Sequence, residues 1–449
     1  MDLLRHLVRH ATRDLYERRD GYRTAGYRRE LARSQYLEPG RLAELQLARL
    51  RRVVALAYEE NAFHRERLDR IGFVPSDLRS LSDLRALPLL TKDDLRDGLG
   101  FSRGFSAGNT VHKRTGGSTG VPVHVYMDFE ATSIKRAAVE RHNSWAGRRA
   151  GDRLAAVWGD TSGPFPFRER LRNALTERAF YLDTLRFQPA PIDAFIARLR
   201  ALRPPVLMGH AHSVFRLAEH ARERGVGDLR FRGIITTAMV LSPAERRTIE
   251  EVFSSPVFNR YGCEETSIIA SECEAHQGMH VFAEGLYLEL LEEPGTTARK
   301  LVITDLLNRA QPLLRYEIGD YARPAEGACP CGRTLPRLLE VMGRTADFLY
   351  TPDRVPVFGI SILDTFVIHL PGFKQVQIVQ DLYDHLLFRV VRDQRFSGES
   401  LERLRQNVRQ IFGERMRYDV EYVERIEQTE RGKFRFSICR IGERERPEV

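Results

Sequence analysis

From Leu42 to Tyr58, Leu, Val and Ala recur at steps of three and four residues, the spacing that lays an apolar stripe along one helix face. Polar stretches at Pro75-Ser76-Asp77 and Ser80 to Asp83 suit the starts of short helices, so the chain from Met1 to about Leu99 reads as a helical lead-in. A Gly- and Ser-containing stretch from Leu99 to Asn109 closes it. From Val111 to about Val341 the period changes. Short apolar runs at Leu154 to Trp158, Val206 to Met208, Ile234 to Thr236 and Leu286 to Leu291 alternate with helical periodicity at Ile192 to Leu202, Ser213 to Arg224 and Pro243 to Phe253. That alternation predicts α/β layering. The end of the chain repeats it on a smaller scale, with strands at Val376 to Val379 and Leu386 to Val391 and a helix at Glu399 to Phe412. The pattern predicts a large α/β domain over residues 1–342, whose first 99 residues are the lead-in, a hinge at 343–347, and a small α+β domain over 348–449.

Composition narrows the class. A chain of 449 residues that is 42% hydrophobic can bury more than one ordinary core, which agrees with two domains. The longest apolar stretches, such as Phe358 to Leu370, are broken by charge or Gly and fall short of the roughly 20 residues a membrane span needs. The first residues alternate charge with Leu and have no signal core, so a cytoplasmic protein with no membrane span is expected. The net charge of +9 is carried mostly by Arg dispersed among acids. This is the pattern of a solvated surface that suits anionic small molecules, and nucleic acid is not expected as a partner. Five cysteines are too few for a disulfide scaffold and point to thiols or metal ligation.

Arg114 to Pro122 (RTGGSTGVP) packs three glycines and three hydroxyl residues into nine positions. Glycine lets backbone N–H groups approach phosphate oxygens, and the hydroxyls add neutral donors. No Gly-Lys-Ser/Thr follows, so the Walker pattern is excluded. Alone, such a run is more often a mobile turn. Four further elements follow it in order: Tyr261-Gly262-Cys263-Glu264-Glu265, Leu314 to Asp320, Gly343 to Asp347, and Gly432-Lys433-Phe434. A tyrosine face can stack on adenine, a glutamate can hold magnesium, and an aspartate can accept both ribose hydroxyls. Five such elements in this order are improbable by chance.

With these motifs the chain resembles the phenylacetate-CoA ligase family of the adenylate-forming superfamily, and the likeness extends into the lead-in at Val54 to Arg65 and Ser82 to Asp97. The resemblance implies a large adenylate-forming domain and a small, mobile C-terminal one. It also implies ATP-dependent conversion of a carboxylic acid to its acyl-adenylate with release of pyrophosphate, then transfer to a thiol, with CoA as co-substrate. Carried over by motif, Thr115, Ser118, Thr119 and Gly120 would cradle the phosphates. Tyr261 would stack on adenine with Asn259 near its amino group, Glu265 would help hold Mg2+, and Asp320 and Arg344 would serve the ribose. Lys433 would reach the bond-forming region. Three positions depart from the family pattern: Met239 and Ala346 replace usual acidic or hinge residues, and Glu264 replaces a usual hydroxyl residue. Two alternatives remain. One is delivery of the acyl group to an amine or a carrier-protein thiol in biosynthesis, and the other is an inactive nucleotide-binding scaffold.

Cys273-Glu274-Ala275-His276 and Cys329-Pro330-Cys331 each offer two ligands at close spacing. Three thiolates and an imidazole suit a closed tetrahedral zinc site, with His280 the substitute for His276; the other reading is unrelated thiols and a surface histidine. Gly209 to His212 follows a short apolar strand, so His210, together with Ala238, is a candidate border of the acyl pocket, or else the stretch is a polar helix start. Cys263 reads as a small packing residue and Cys439 as a buried strand residue. Gly116 to Gly120 matches G-x-S-x-G formally, but a strand-like pattern follows where a nucleophile elbow needs a helix. The sequence does not fix the acid or the oligomeric state.

Overall fold

The structure is a computed structural model that describes residues 6–114, 123–158, 166–184, 187–292, 298–344, 349–357, 366, 370–427 and 436–441. The lead-in is helical, as its periodicity requires. A π-turn at Val8–Thr12 runs into α1 (Arg13–Arg19), followed by α2 (Thr24–Ser34), α3 (Pro39–Glu60), α4 (Ala62–Arg70) and α5 (Lys92–Asp97), with 3-10 turns at Pro75–Asp77 and Leu81–Ala86. Helix α3 starts on a proline, where the missing N–H costs nothing, and buries Leu42, Gln46, Leu50, Val53, Val54 and Ala57 along one face. The Asn61 side chain caps α4 by accepting from the His64 N–H at 3.1 Å and donates to the Leu99 carbonyl at 3.0 Å, tying the end of the lead-in to its middle.

Strands β1 (Val111–Arg114) and β2 (His124–Met127) form an antiparallel hairpin with Arg114 opposite His124. Then come α6 (Phe129–Trp145), β3 (Leu154–Trp158), α7 (Phe167–Leu175), β4 (Ala179–Asp183), α8 (Pro189–Leu202), β5 (Val206–His210), α9 (Ala211–Glu223), β6 (Gly233–Thr237) and α10 (Pro243–Phe253). The chain continues through β7 (Val257–Cys263), β8 (Ser267–Glu272), β9 (Met279–Val281), β10 (Leu286–Glu292), β11 (Arg299–Asp305), β12 (Tyr316–Pro324) and β13 (Arg337–Arg344). One eleven-stranded sheet results, in the order β10-β11-β12-β13-β9-β8-β7-β6-β5-β3-β4. It is parallel from β4 to β7 and antiparallel from β7 onwards. Buried on both faces, the parallel strands read as continuous apolar runs, which is why the sequence pattern found them. Gly209 is required on β5, because a Cβ there would lie 2.8 Å from the Val157 carbonyl oxygen.

The small domain holds β14 (Leu349–Tyr350), β15 (Pro356–Val357), β16 (Phe373–Leu382), β17 (His385–Arg392), α11 (Gly398–Phe412), β18 (Arg417–Tyr422) and β19 (Ser437–Cys439). Its four-stranded sheet has the order β18-β17-β16-β19. Leu404, Val408 and Phe412 of α11 share one apolar cluster with Val376, Ile378, Phe388 and Val390 of the sheet. Cys439 is a strand residue, as expected, though half-buried. Among the described residues no helix is long and apolar enough to cross a membrane.

Inside the large domain, Lys135 of α6 is 1% exposed, and its Nζ lies 2.5 Å from Oδ2 of Asp305 at the end of β11. The other oxygen of Asp305 accepts the backbone N–H groups of Leu307 and Asn308. Removing the ammonium leaves a buried carboxylate without its counter-ion, so Lys135→Met is expected to lower the unfolding free energy by about 3–5 kcal/mol in a urea titration.

Candidate active site

The C-terminal ends of the parallel strands mark the candidate site. The chain runs from β3 outward to β4 and then crosses back to β5 on the other side of β3, so the topology switches between β3 and β5. Open α/β sheets bind ligands outside the strand ends at such a point. Here Trp158 closes β3 and the buried His210 closes β5, their rings 4.3 Å apart at 44°. Strand β5 ends at His210, which is also the N-cap position of α9, so both the strand end and the helix start expected at this stretch are present. Ala238, just past β6, has φ of 64°, an uncommon conformation for a residue with a Cβ.

Strand β7 brings the tyrosine motif to this edge. The Tyr261 hydroxyl donates to Oδ2 of Asp320 on β12 at 2.5 Å, and Asp320 stands opposite Arg344 in the β12–β13 register. Glu265 is buried and its Oε1 accepts from the Tyr316 hydroxyl at 3.2 Å. Glu264 reaches toward Lys113 on β1, with Nζ 3.9 Å away, and so ties the tyrosine segment to the hairpin that flanks the Gly-rich loop. Burial pushes the Cys263 thiol far above its ordinary range, which makes it a packing residue and a poor nucleophile. Thr115, Ser118, Thr119, Gly120, Ala346 and Lys433 lie outside the described residues, as does the side chain of Arg344.

Asn259 is held by its backbone, whose N–H donates to Glu272 at 2.8 Å. The same carboxylate receives Nη2 of Arg246 at 2.7 and 2.8 Å and faces Nδ1 of His276 at 3.4 Å. Burial alone would raise the Glu272 carboxyl; His276, Arg246 and the Asn259 N–H outweigh it and hold the group below the usual carboxylate range.

His276 is therefore not beside the cysteines, and the expected ligand set changes at this position. Cys273, His280, Cys329 and Cys331 bring their donor atoms within 4.8 Å of one another. The Cys273 and Cys329 sulfurs are 3.7 Å apart, and Nε2 of His280 is 3.3 Å from the Cys331 sulfur. The reason is local geometry: the His276 N–H donates to the Cys273 carbonyl, closing a turn in which His276 has φ of 50° and its ring packs 4.7 Å from Phe258. His280 sits on β9, with Ser271 of β8 as its partner, and strand pairing carries it back to Cys273. Its Nδ1 donates to the Leu335 carbonyl at 3.2 Å, turning the Nε2 lone pair toward the sulfurs. A set of three thiols and one imidazole can hold a metal ion.

A further pair was not singled out by sequence reasoning. Nδ1 of His212 lies 2.9 Å from Oε1 of Glu245, which is fully buried at the start of α10. The Ser242-x-x-Glu245 spacing signals a helix cap in the sequence, but nothing in it announces the histidine. Beside the pair, Met239 packs with Val391, Val423, Ile426 and Phe436 of the small domain. The methionine that stands in place of an acid is thus part of an apolar seam between the domains.

A phenylacetate-coenzyme A ligase of Thermus thermophilus is 30% identical to this chain over 340 residues, covering 73% of the chain and 74% of the relative. The chain belongs to the phenylacetate-CoA ligase family. Protein CapK of Staphylococcus aureus is 24% identical over 81% of both chains, and residues 349–440 match the family model described as the CapK C-terminal domain. This member of the family shares its fold with a 2-hydroxyisobutyryl-CoA ligase in the postadenylation state, with a TM-score of 0.72 at 23% identity and 91% coverage of each chain. The same ligase in its thioesterification state superposes with a TM-score of 0.58 at 22% identity and the same coverage. The fold is that of the adenylate-forming superfamily.

In this family member Glu272 anchors the strand that carries Asn259 and Tyr261. A group whose folded value is depressed stabilises the fold above its unfolded value and loses that contribution as pH falls through the folded one. Glu272→Gln is accordingly expected to cost about 2 kcal/mol of unfolding free energy near neutral pH. The gap should begin to narrow as pH falls below the ordinary Glu value of about 4.3 and should close only below the depressed folded value. Urea titrations across that range check it.

Proposed function

We infer that this family member is an ATP-dependent ligase that adenylates a small carboxylic acid, releases pyrophosphate and passes the acyl group to a thiol, with CoA as the acceptor its relatives' names support. The observation that carries this reading is the Tyr261–Asp320 contact at the candidate site, with Arg344 opposite Asp320 and Glu265 close by in sequence. In this reading Tyr261 presents its ring to adenine, Asn259 lies along the same strand for the amino group, and Asp320 with Arg344 receives the ribose. Thr115, Ser118, Thr119 and Gly120 receive the phosphates from the loop between β1 and β2. The acyl chain lies between Trp158, His210 and Ala238. A hinge at 343–347, beginning in the last residues of β13, lets the small domain move. Delivery to an amine or a carrier-protein thiol is the alternative outcome.

Attack of the acid's carboxylate on the α-phosphate concentrates negative charge on the phosphate oxygens and the departing pyrophosphate. The Lys433 ammonium supplies a matching positive charge from the small domain. The buried Glu265 carboxylate fits a hard cation, and its hydrogen bond from Tyr316 fixes its orientation. Magnesium, when bound, would neutralise charge on the triphosphate. The higher TM-score against the postadenylation state than against the thioesterification state supports a domain arrangement suited to the first half-reaction.

Structural zinc is the metal best suited to Cys273, His280, Cys329 and Cys331, because three soft thiolates and an imidazole match its preferred tetrahedral set. It would cross-link β8, β9 and the turn before β13. None of the five cysteines is in a disulfide, in keeping with a reducing, cytoplasmic setting.

A pyrophosphate-release screen over phenylacetate, 2-hydroxyisobutyrate and other aryl, alkyl and amino acids, with and without CoA, tests the reaction. Release with at least one acid is expected, and Lys433→Ala should reduce it by at least about 10²-fold. No release across the panel from protein that still binds ATP would favour the inactive scaffold. Metal analysis of purified protein should find one zinc per chain, lost in Cys329→Ser and His280→Ala and retained in His276→Ala.

A further inference from the structure

His212 and Glu245 sit at the starts of α9 and α10, the helices that follow neighbouring parallel strands β5 and β6. Both oxygens of Glu245 are committed: Oε2 accepts the Ser242 N–H at 3.1 Å and Oε1 faces Nδ1 of His212 at 2.9 Å. Two helix N-termini stabilise a carboxylate here. A carboxylate can only accept, so Nδ1 is the donor, and in the neutral ring the lone pair is on Nε2. A buried acid that fixes the tautomer of a histidine is the arrangement of an oriented general base.

The location adds to this. His210, two residues earlier, stands against Trp158 at the switch point of the sheet. On the other side, the edge of Phe436 meets the His212 ring at 5.3 Å and 78°, and Phe436 follows Lys433 by three residues. The imidazole therefore packs against Phe436 of the small domain just past the end of β5, with its side chain 11% exposed. Among the described residues, Glu245 on α10 and Glu219 on its own helix act on the ring, and Arg395 of the small domain acts on Glu219 and Glu223.

We propose that His212, oriented by Glu245, is the general base of the second half-reaction, taking the proton from the acceptor thiol once Phe436 has withdrawn. The inference rests on the adenylation reading. Nε2 accepts the S–H proton while the sulfur electron pair attacks the acyl carbon. The C–S bond forms, the C–O bond to phosphate breaks, and AMP leaves with that electron pair. The imidazolium returns its proton to water. Phe436 covers the base in the present domain arrangement, which keeps water from the same activation while the adenylate forms.

The test measures the two half-reactions separately, using the acid that gives the most pyrophosphate with the wild type, and CoA as the thiol. His212→Gln should slow acyl transfer by about 10²-fold near neutral pH while pyrophosphate release falls far less. Its transfer rate should then climb about tenfold per pH unit toward the thiol's own pKa of about 8.5 and approach the wild type there, because thiolate formed in solution needs no base. Glu245→Gln should show the same profile with a smaller loss, and Phe436→Ala should retain transfer. Equal losses in both half-reactions, a pH profile parallel to the wild type, or a loss in Phe436→Ala matching that in His212→Gln would each overturn the proposal in favour of a packing role. A wild type that releases no pyrophosphate with any acid would instead remove the adenylation reading, and the base with it.

Discussion

Strand β7 is bonded in parallel to β6 on one side and antiparallel to β8 on the other, and the rest of the site depends on that double pairing. Buried backbone groups must all find partners, so a strand shared between two kinds of ladder fuses them into one rigid sheet. The parallel half supplies the strand ends at the topological switch point. The antiparallel half returns through β12 and β13 and sets Asp320 where the Tyr261 hydroxyl reaches it. Without the shared strand, the Tyr261 and Asp320 motifs would have no fixed relation.

Around this frame the buried charges act as clamps. Lys135–Asp305 joins α6 to β11, and Arg141–Glu284 joins α6 to the turn before β10. Glu272 gathers Arg246, His276 and the backbone of Asn259. Each carboxylate has several donors, so its desolvation is offset by hydrogen bonds that also fix geometry. The cysteine–histidine cluster gathers donors from the end of β8, from β9 and from the turn before β13 within 4.8 Å of one another.

Among the described residues the two domains share an apolar contact. Met239, Val391, Val423, Ile426 and Phe436 form a small apolar patch, and the His212 ring extends it. A seam of this size suits a contact that forms and breaks during a reaction cycle, since interfaces within a chain separate readily unless they are large and hydrophobic. A carboxylate in place of Met239 would be desolvated there without a partner.

Much of the architecture was legible along the chain. Buried parallel strands such as Val206 to Met208 and amphipathic helices such as Pro243 to Phe253 carry their period in the residues themselves, and the structure places them where that period put them. The order of the Gly-rich loop, Tyr261, Asp320, Arg344 and Lys433 was likewise a property of the sequence. What the chain could not declare were contacts closed by folding. Cys273 and His276 are close in sequence, yet a left-handed turn sends that ring to Phe258, and strand pairing delivers His280 instead. Met239 is an anomaly in the sequence and a seam residue in three dimensions. Glu245 advertises only a helix cap until α9 and α10 pack side by side and bring His212 to it. Local periodicity is written in neighbouring residues, whereas a site is assembled from residues whose distance apart is set by how sheets pair and helices pack.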